Sequence, residues 1–185
     1  MAAALVVGAG TGAVTRIGSN TDNDIPRDVL NPMIAGQAML TSASIYDNVS
    51  KSPEHTAFVH AIAADGLAEK LSSDGAYTIF APTNAAYAAL AHGDAAQAWK
   101  AARYLIVAGR YDSQTLLALI NSRGGEAKLK TIGGGTITAM LNGPTNIALM
   151  DERGGIADIS VYDVYQRNGV VQVIDKVLLP RTARS

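Results

Sequence analysis

The chain has 185 residues, 48% of them hydrophobic and 17% charged, with 15 Lys and Arg against 16 Asp and Glu. That composition excludes disorder over most of the length, and a net charge of −1 gives no electrostatic footprint for nucleic acid or an anionic membrane. The absence of cysteine removes thiol catalysis, disulfides and Cys-based metal sites, and no apolar run is long enough to predict a membrane-spanning helix.

Residues 1–32 read differently from the rest. Met1–Ala13 is small and apolar, Asn20–Asp24 is polar, and Pro26 and Pro32 punctuate the approach to the main body. The segment is either an export signal without its basic start (the first cation is Arg16) or a flexible arm. Within it, Gly8, Gly10 and Ala13 fit a variant dinucleotide fingerprint, with Asp28 twenty residues after Gly8. The fingerprint lacks a preceding strand of useful length, and Pro26 spoils the second strand, so a small-residue leader is the better reading. Asn20, Asp22 and Asp24 mimic the start of a calcium loop, but Ile25 stands where glycine is needed and Asn31 where glutamate is needed.

From Ser44 the sequence reads as globular. Ser44–Lys51 is a short helical candidate, and Ser52-Pro53-Glu54 has the chemistry of a second helix start. Phe58, Val59, Ile62 and Ala63 then share one face, Gly66 is a left-handed cap, and Leu67–Leu71 adds a turn. Tyr77–Phe80 is β-branched and aromatic, hence a strand, stopped by Ala81-Pro82. Thr83 caps a helix over Asn84–Leu90. Asp94-Ala-Ala-Gln97 opens another that the pattern carries to about Val107, with Gly109 ending it. Ser113 caps Gln114–Ile120, closed by Gly124-Gly125.

The last third is predicted as strands: Lys128–Ile132, Thr136–Leu141, Asn146–Asp151, Ile159–Val164, and Gly169–Leu179 as a strand pair or one bent strand. Asn142-Gly143 signals a hairpin whose Pro144 calls for more than a two-residue loop. Helices first and strands after give an α+β class. His55, His60 and His92 have no metal-ligand spacing; His55 is expected at a helix start and His92 in a loop. No nucleophile motif is present, and Asp151-Glu152 reads as a solvated turn. No enzyme, cofactor or metal site is expected. Asn48-Val49-Ser50 is a glycosylation sequon.

Two segments carry more specific information. Tyr77–Leu90 (YTIFAPTNAAYAAL) and Asn168–Pro180 (NGVVQVIDKVLLP) resemble the two signature boxes of the fasciclin (FAS1) domain family. Asp65-Gly66-Leu67, the run Arg103–Gly109, and Asp163-Val164 ahead of Asn168-Gly169 resemble intervening family segments. The resemblance spans about Met39 to Pro180 and identifies a bacterial-type, single-domain secreted member, with a domain at 33–181 and a tail at 182–185. It implies a wedge-shaped β-sandwich with helices packed along one edge. It also implies a non-enzymatic, secreted or periplasmic, cell-surface module that binds a surface protein or polysaccharide in adhesion. Phe80, Pro82, Thr83, Asn84, Asn168, Gly169, Asp175 and Pro180 are the matched positions. Their residue types suit a framework role: Pro82 and Thr83 end a strand and start a helix, Asn84 can bond nearby backbone, and Asp175 can answer an amide. Ile174 and Val177 are expected to pack inward.

Two departures stand out. Leu105 replaces the histidine that usually follows the tyrosine, here Tyr104, and Gln172 replaces a second histidine. The tyrosine–histidine segment serves integrin recognition in animal members, so that activity does not carry over. Leu105 is expected to make the local surface more apolar. The same change motivates an alternative: a carrier of an apolar ligand such as a carotenoid or lipid, as in some algal members, with Tyr104, Leu105, Leu116, Leu117 and Ile120 as contacts. Ordinary core packing is the competing explanation for these five.

Overall fold

The computed structural model describes residues 31–90 and 92–181. The glycine fingerprint, Asn20, Asp22, Asp24 and the tail at 182–185 lie outside the described residues. Three short helices come first: α1 (Ile45–Val49), α2 (Thr56–Ala64) and α3 (Ala68–Ser72). Ser44 caps α1 in a box with Asp47: the Asp47 amide donates to Ser44 Oγ (3.1 Å), and the Ser44 amide donates to Asp47 Oδ2 (3.3 Å). α2 starts three residues later than Ser52-Pro53 suggested. The Ser52 hydroxyl is committed to His55 Nδ1 at 2.8 Å, and the His55 amide closes a turn onto the Ser52 carbonyl. At its far end Gly66 takes φ +66°, with Gly66 and Leu67 amides donating to the carbonyls of Ala63 and Ile62. That left-handed cap is the one the glycine foretold. On α2 the buried residues are Phe58, Ala61 and Ile62, while Ala63 is exposed.

Strand β1 (Tyr77–Pro82) runs through Pro82 and turns at once into α4 (Asn84–Ala88), where Thr83 Oγ1 accepts from the Ala86 amide at 3.2 Å. α5 (His92–Ala98) is shorter than expected, and His92 opens it instead of lying in a loop. A 3-10 turn (Ala102–Leu105) and strand β2 (Ile106–Ala108) occupy the stretch expected to be helical up to Val107. Ile106 and Val107 pair with Ile79 and Thr78 of β1, and that tertiary pairing overrides the local helical pattern. α6 (Ser113–Ser122) is capped by Asp112, whose Oδ1 accepts from the Thr115 amide at 2.8 Å; Ser113 is occupied elsewhere.

Five strands complete the fold: β3 (Glu126–Lys130), β4 (Thr136–Leu141), β5 (Ile147–Met150), β6 (Ile156–Gln166) and β7 (Gly169–Ile174). The loop at 142–146 is longer than two residues, closed by the Asn142 amide on the Asn146 carbonyl. Gly169–Ile174 is one strand, and the chain leaves the sheet before Val177. All seven strands form one sheet in the order β2-β1-β7-β6-β5-β4-β3. The class is α+β, with helices against a sheet bent at the irregular register of β6, where Asp163 takes φ +58°. The end strands β2 and β3 meet at a single bridge, Val107 to Thr131, so the sheet is nearly closed.

The two signature segments, some 80 residues apart in the chain, lie side by side. β1 and β7 are parallel, in register from Tyr77–Gly169 to Pro82–Ile174, at the centre of their half of the sheet. β7 is buried along its whole length, and β1 beyond Tyr77, as a parallel pair covered on both faces requires. Phe58, Phe80, Ile79, Leu105, Leu116 and Ile120 are among the fully buried side chains of the core around them.

Candidate functional site

The matched family positions do mechanical work. Asn168 is buried, and its three side-chain bonds join three elements. Oδ1 accepts from the Ile45 amide at the start of α1 (2.9 Å), and Nδ2 donates to the carbonyls of Leu71 and Ser73 at the end of α3 (2.8 Å each). Gly169 sits so close to β1 that an added Cβ would lie 2.1 Å from the Tyr77 carbonyl oxygen and 2.7 Å from Ile45 Cδ1. Glycine is required there for close approach, not for an unusual φ. Asn84 reaches backbone distant in sequence. Its Oδ1 accepts from the Ala57 amide (3.0 Å) and Thr56 hydroxyl (3.1 Å), and its Nδ2 donates to the Pro53 carbonyl (2.9 Å). It thereby caps α2, whose own N-cap residue His55 makes no side-chain cap bond. Asp175 accepts the Asp158 amide at 2.8 Å, the Pro180 carbonyl accepts from Gln97 Nε2 at 3.0 Å, and Ile174 and Val177 pack inward.

The five residues of the apolar-ligand alternative are packing residues. Tyr104, Leu105, Leu116 and Ile120 are buried in the core and Leu117 is half-buried against it. Leu105 therefore does not make any surface more apolar. The Tyr104 hydroxyl donates to the Thr136 carbonyl (2.7 Å) and accepts from the Glu152 amide (3.1 Å). Burial pushes its ionisation well above the usual tyrosine range.

Polar side chains elsewhere are equally committed. At the β6 bulge Asp163 accepts the Ser113 amide (2.7 Å), the Ser113 hydroxyl (2.5 Å) and Gln172 Nε2 (2.8 Å), pinning the start of α6 to the sheet. Gln172 Oε1 accepts from the Asp163 amide in return (3.0 Å). Asp151-Glu152 is no solvated turn. Asp151 is buried and accepts the amides of Arg153, Gly155 and Leu179; Glu152 accepts those of Thr136 and Arg181. Bond directions alone demand carboxylates at both positions, because each receives only donors.

Free chemistry collects where the sheet fails to close. A cleft of about 470 Å³ lies between the ends of β2 and β3, lined by Val107, Ala108 and Tyr111 on one side and Lys128, Lys130 and Thr131 on the other. A second depression, of about 430 Å³, borders the first at Lys128 and runs over Thr136, Thr138 and Met150 to the carboxylates of Glu126, Asp151 and Glu152. β3 alternates exposed Glu126, Lys128 and Lys130 with buried Ala127 and Leu129, so both lysines stand on the outer face.

The family model for the fasciclin domain matches residues 53–180. This chain belongs to the fasciclin domain family. Human periostin is 29% identical over 143 residues, which cover 76% of this chain and 16% of periostin. The Synechocystis protein sll1483 is 28% identical over 150 residues, covering 80% of this chain and 79% of that one. Rabbit transforming growth factor-beta-induced protein ig-h3 is 30% identical over 148 residues, 79% of this chain and 21% of that protein. The chain thus spans a small part of the two animal relatives and most of the cyanobacterial one. Among solved structures, a FAS1 domain pair from the insect cell adhesion molecule fasciclin I superposes with a TM-score of 0.61 at 13% identity, covering 74% of this chain and 51% of that one. At that identity the likeness is one of fold.

Within this fasciclin domain, the sequon does not mark an available site. Asn48 is buried, its Nδ2 donating to the Leu40 carbonyl (2.8 Å) and its Oδ1 accepting from the Leu40 amide (3.1 Å), so a glycan there is incompatible with the folded contact. Asn31, just before the expected domain start, exchanges bonds with both the amide and carbonyl of Tyr165 on β6. The surface lysines of β3 were passed over in the sequence, although the alternation Glu-Ala-Lys-Leu-Lys placed them on one face. What the sequence concealed was that β3 is an end strand.

Proposed function

We propose that this fasciclin domain, taken as residues 33–181, is a non-catalytic interaction module that acts outside the cytoplasm, secreted or periplasmic, by holding a partner at a cell surface. The observation that carries this reading is the family match over residues 53–180 together with what the matched residues do. Asn84, Asn168, Gly169 and Asp175 are consumed in holding backbone, so recognition falls to surface chemistry around a rigid frame. The solved relative is itself a cell adhesion molecule, which favours adhesion as the process. No helix among the described residues is long and apolar enough to cross a membrane.

The test is deletion in cells that carry the protein, with attachment and aggregation measured under matched conditions. The expected result is weaker attachment, restored by the protein supplied from outside. Unchanged attachment and aggregation count against the reading.

A further inference from the structure

The seam between β2 and β3 is an interrupted strand pairing. The two end strands touch at the Val107–Thr131 bridge, reinforced by the Ile132 amide donating to the Ile106 carbonyl at 2.9 Å. Beyond that point the β2 side peels away. The Gly109 amide donates to the Ala76 carbonyl (2.8 Å), the Gly109 carbonyl accepts from Thr78 Oγ1 (2.8 Å), and the Tyr111 amide donates to that same hydroxyl (2.8 Å). Each of these groups faces β1, so past Ala108 they add no rung to β3. β3 pairs with β4 along its whole length. Before the bridge, which engages Lys130 from the Ala108 side, its other edge has no strand partner among the described residues, and the cleft of about 470 Å³ lies along it at Lys128–Lys130.

Three features define what fits. An unpaired strand edge presents alternating amides and carbonyls, the complement of another extended backbone. Lys128 and Lys130, two residues apart on one face, place two ammonium groups roughly 7 Å apart along the strand. Neither lysine forms an ion pair among the described residues, and no carboxylate lines the cleft itself; Glu126 shares their face two residues before Lys128, and Asp151 and Glu152 line the neighbouring depression. Thr131, which lines the cleft and is 4% exposed, carries a hydroxyl with no hydrogen-bond partner among the described residues. A second copy paired antiparallel about Lys128 would set Glu126 against Lys130 on either side but Lys128 against its own counterpart, a like-charge clash that an acidic strand avoids.

We propose that the seam takes up an extended acidic segment of a partner protein, added as a strand along β3 with carboxylates two residues apart over Lys128 and Lys130. This rests on the interaction-module reading and gives it a site and a partner chemistry. Backbone pairing supplies affinity, and the two ion pairs select an acidic strand over neutral ones.

The experiment titrates the purified chain into a fluorescein-labelled peptide of alternating glutamate and valine and follows anisotropy. Parallel titrations use the same peptide with its central valine replaced by proline, and labelled polygalacturonate as a non-peptide polyanion. Saturable binding of the alternating peptide is expected, about tenfold weaker for the Lys128→Glu, Lys130→Glu double variant and for the proline peptide, with amide NMR shifts confined to the seam. Both lysines are exposed, so the double variant keeps its melting temperature, which is measured alongside. No saturable binding overturns the proposal. So does equal binding of the proline peptide or of polygalacturonate, which would make the seam a general anion surface. The attachment assay separates the two levels. Lost attachment on deletion with no peptide binding removes the seam assignment alone; peptide binding with unchanged attachment removes the cellular reading alone.

Discussion

Replacing Asn168 tests the idea that the signature boxes hold the fold through directional bonds. Asn168→Ala removes one acceptor and two donor contacts at once and leaves the Ile45 amide and the Leu71 and Ser73 carbonyls without their partner. At about 1 kcal/mol for each net bond, with an added penalty for polar groups left buried, the loss comes to roughly 3–4 kcal/mol. For a domain of this size that lowers the melting temperature by about 6–16 °C. Asn168→Asp is the sharper probe because its shape is the same. It keeps the acceptor for Ile45 but turns an oxygen toward two carbonyl oxygens that the Nδ2 donor now holds at 2.8 Å. At pH 7 the aspartate variant is expected to be less stable than the alanine variant by about 1 kcal/mol or more, because one oxygen of a buried carboxylate faces only carbonyl acceptors. Protonation supplies one donor, so the gap narrows as pH falls towards 5. Urea unfolding at both pH values measures all three proteins. An aspartate variant at least as stable as the alanine one at pH 7, or an alanine loss under 1 kcal/mol, would refute the reasoning.

Gly169→Ala forces a Cβ to within 2.1 Å of the Tyr77 carbonyl oxygen, so the β1–β7 pairing must spread; a loss of about 3 kcal/mol or failure to fold is expected, read by circular dichroism and urea titration. His55 is buried, its Nε2 has no partner among the described residues, and burial depresses its pKa to about 4 from 6.5. The fold therefore favours the neutral ring: that stability is complete above pH 6.5 and drains away as pH falls toward 4, about 2 kcal/mol of it by pH 5. In His55→Gln the drop in melting temperature from pH 7.5 to pH 5 should shrink by about 4–8 °C relative to wild type, and an unchanged drop argues against the assignment. Gln166 is fully buried with neither amide atom bonded among the described residues, so Gln166→Leu should raise stability by about 1–2 kcal/mol; a lower melting temperature would show that the amide is satisfied.

Local signals in this sequence were reliable wherever the cause was local. The short helix within Ser44–Lys51, the Gly66 left-handed cap, the Thr83 cap and the β-branched run Tyr77–Phe80 depend on residues within a few positions of one another, and each forms as expected. Membership of the fasciclin family was legible too, since its boxes are contiguous strings. Sequence failed where a partner from far along the chain took over a group. Ile106 and Val107 are a strand because β1 lies beside them, and Ser52 is no cap because its hydroxyl is held by His55 while Asn84, 27 residues from Ala57, accepts the Ala57 amide. Asp151-Glu152 looked solvated because three of the amides they receive, those of Thr136, Leu179 and Arg181, lie beyond any local window. The same holds for the surface. The alternation of β3 is written in five residues, but which strand ends the sheet, and so which lysines border an unpaired edge, follows only from the order of all seven strands. Dihedral preferences and caps are set by neighbours in sequence, whereas burial and edge exposure are set by neighbours in space.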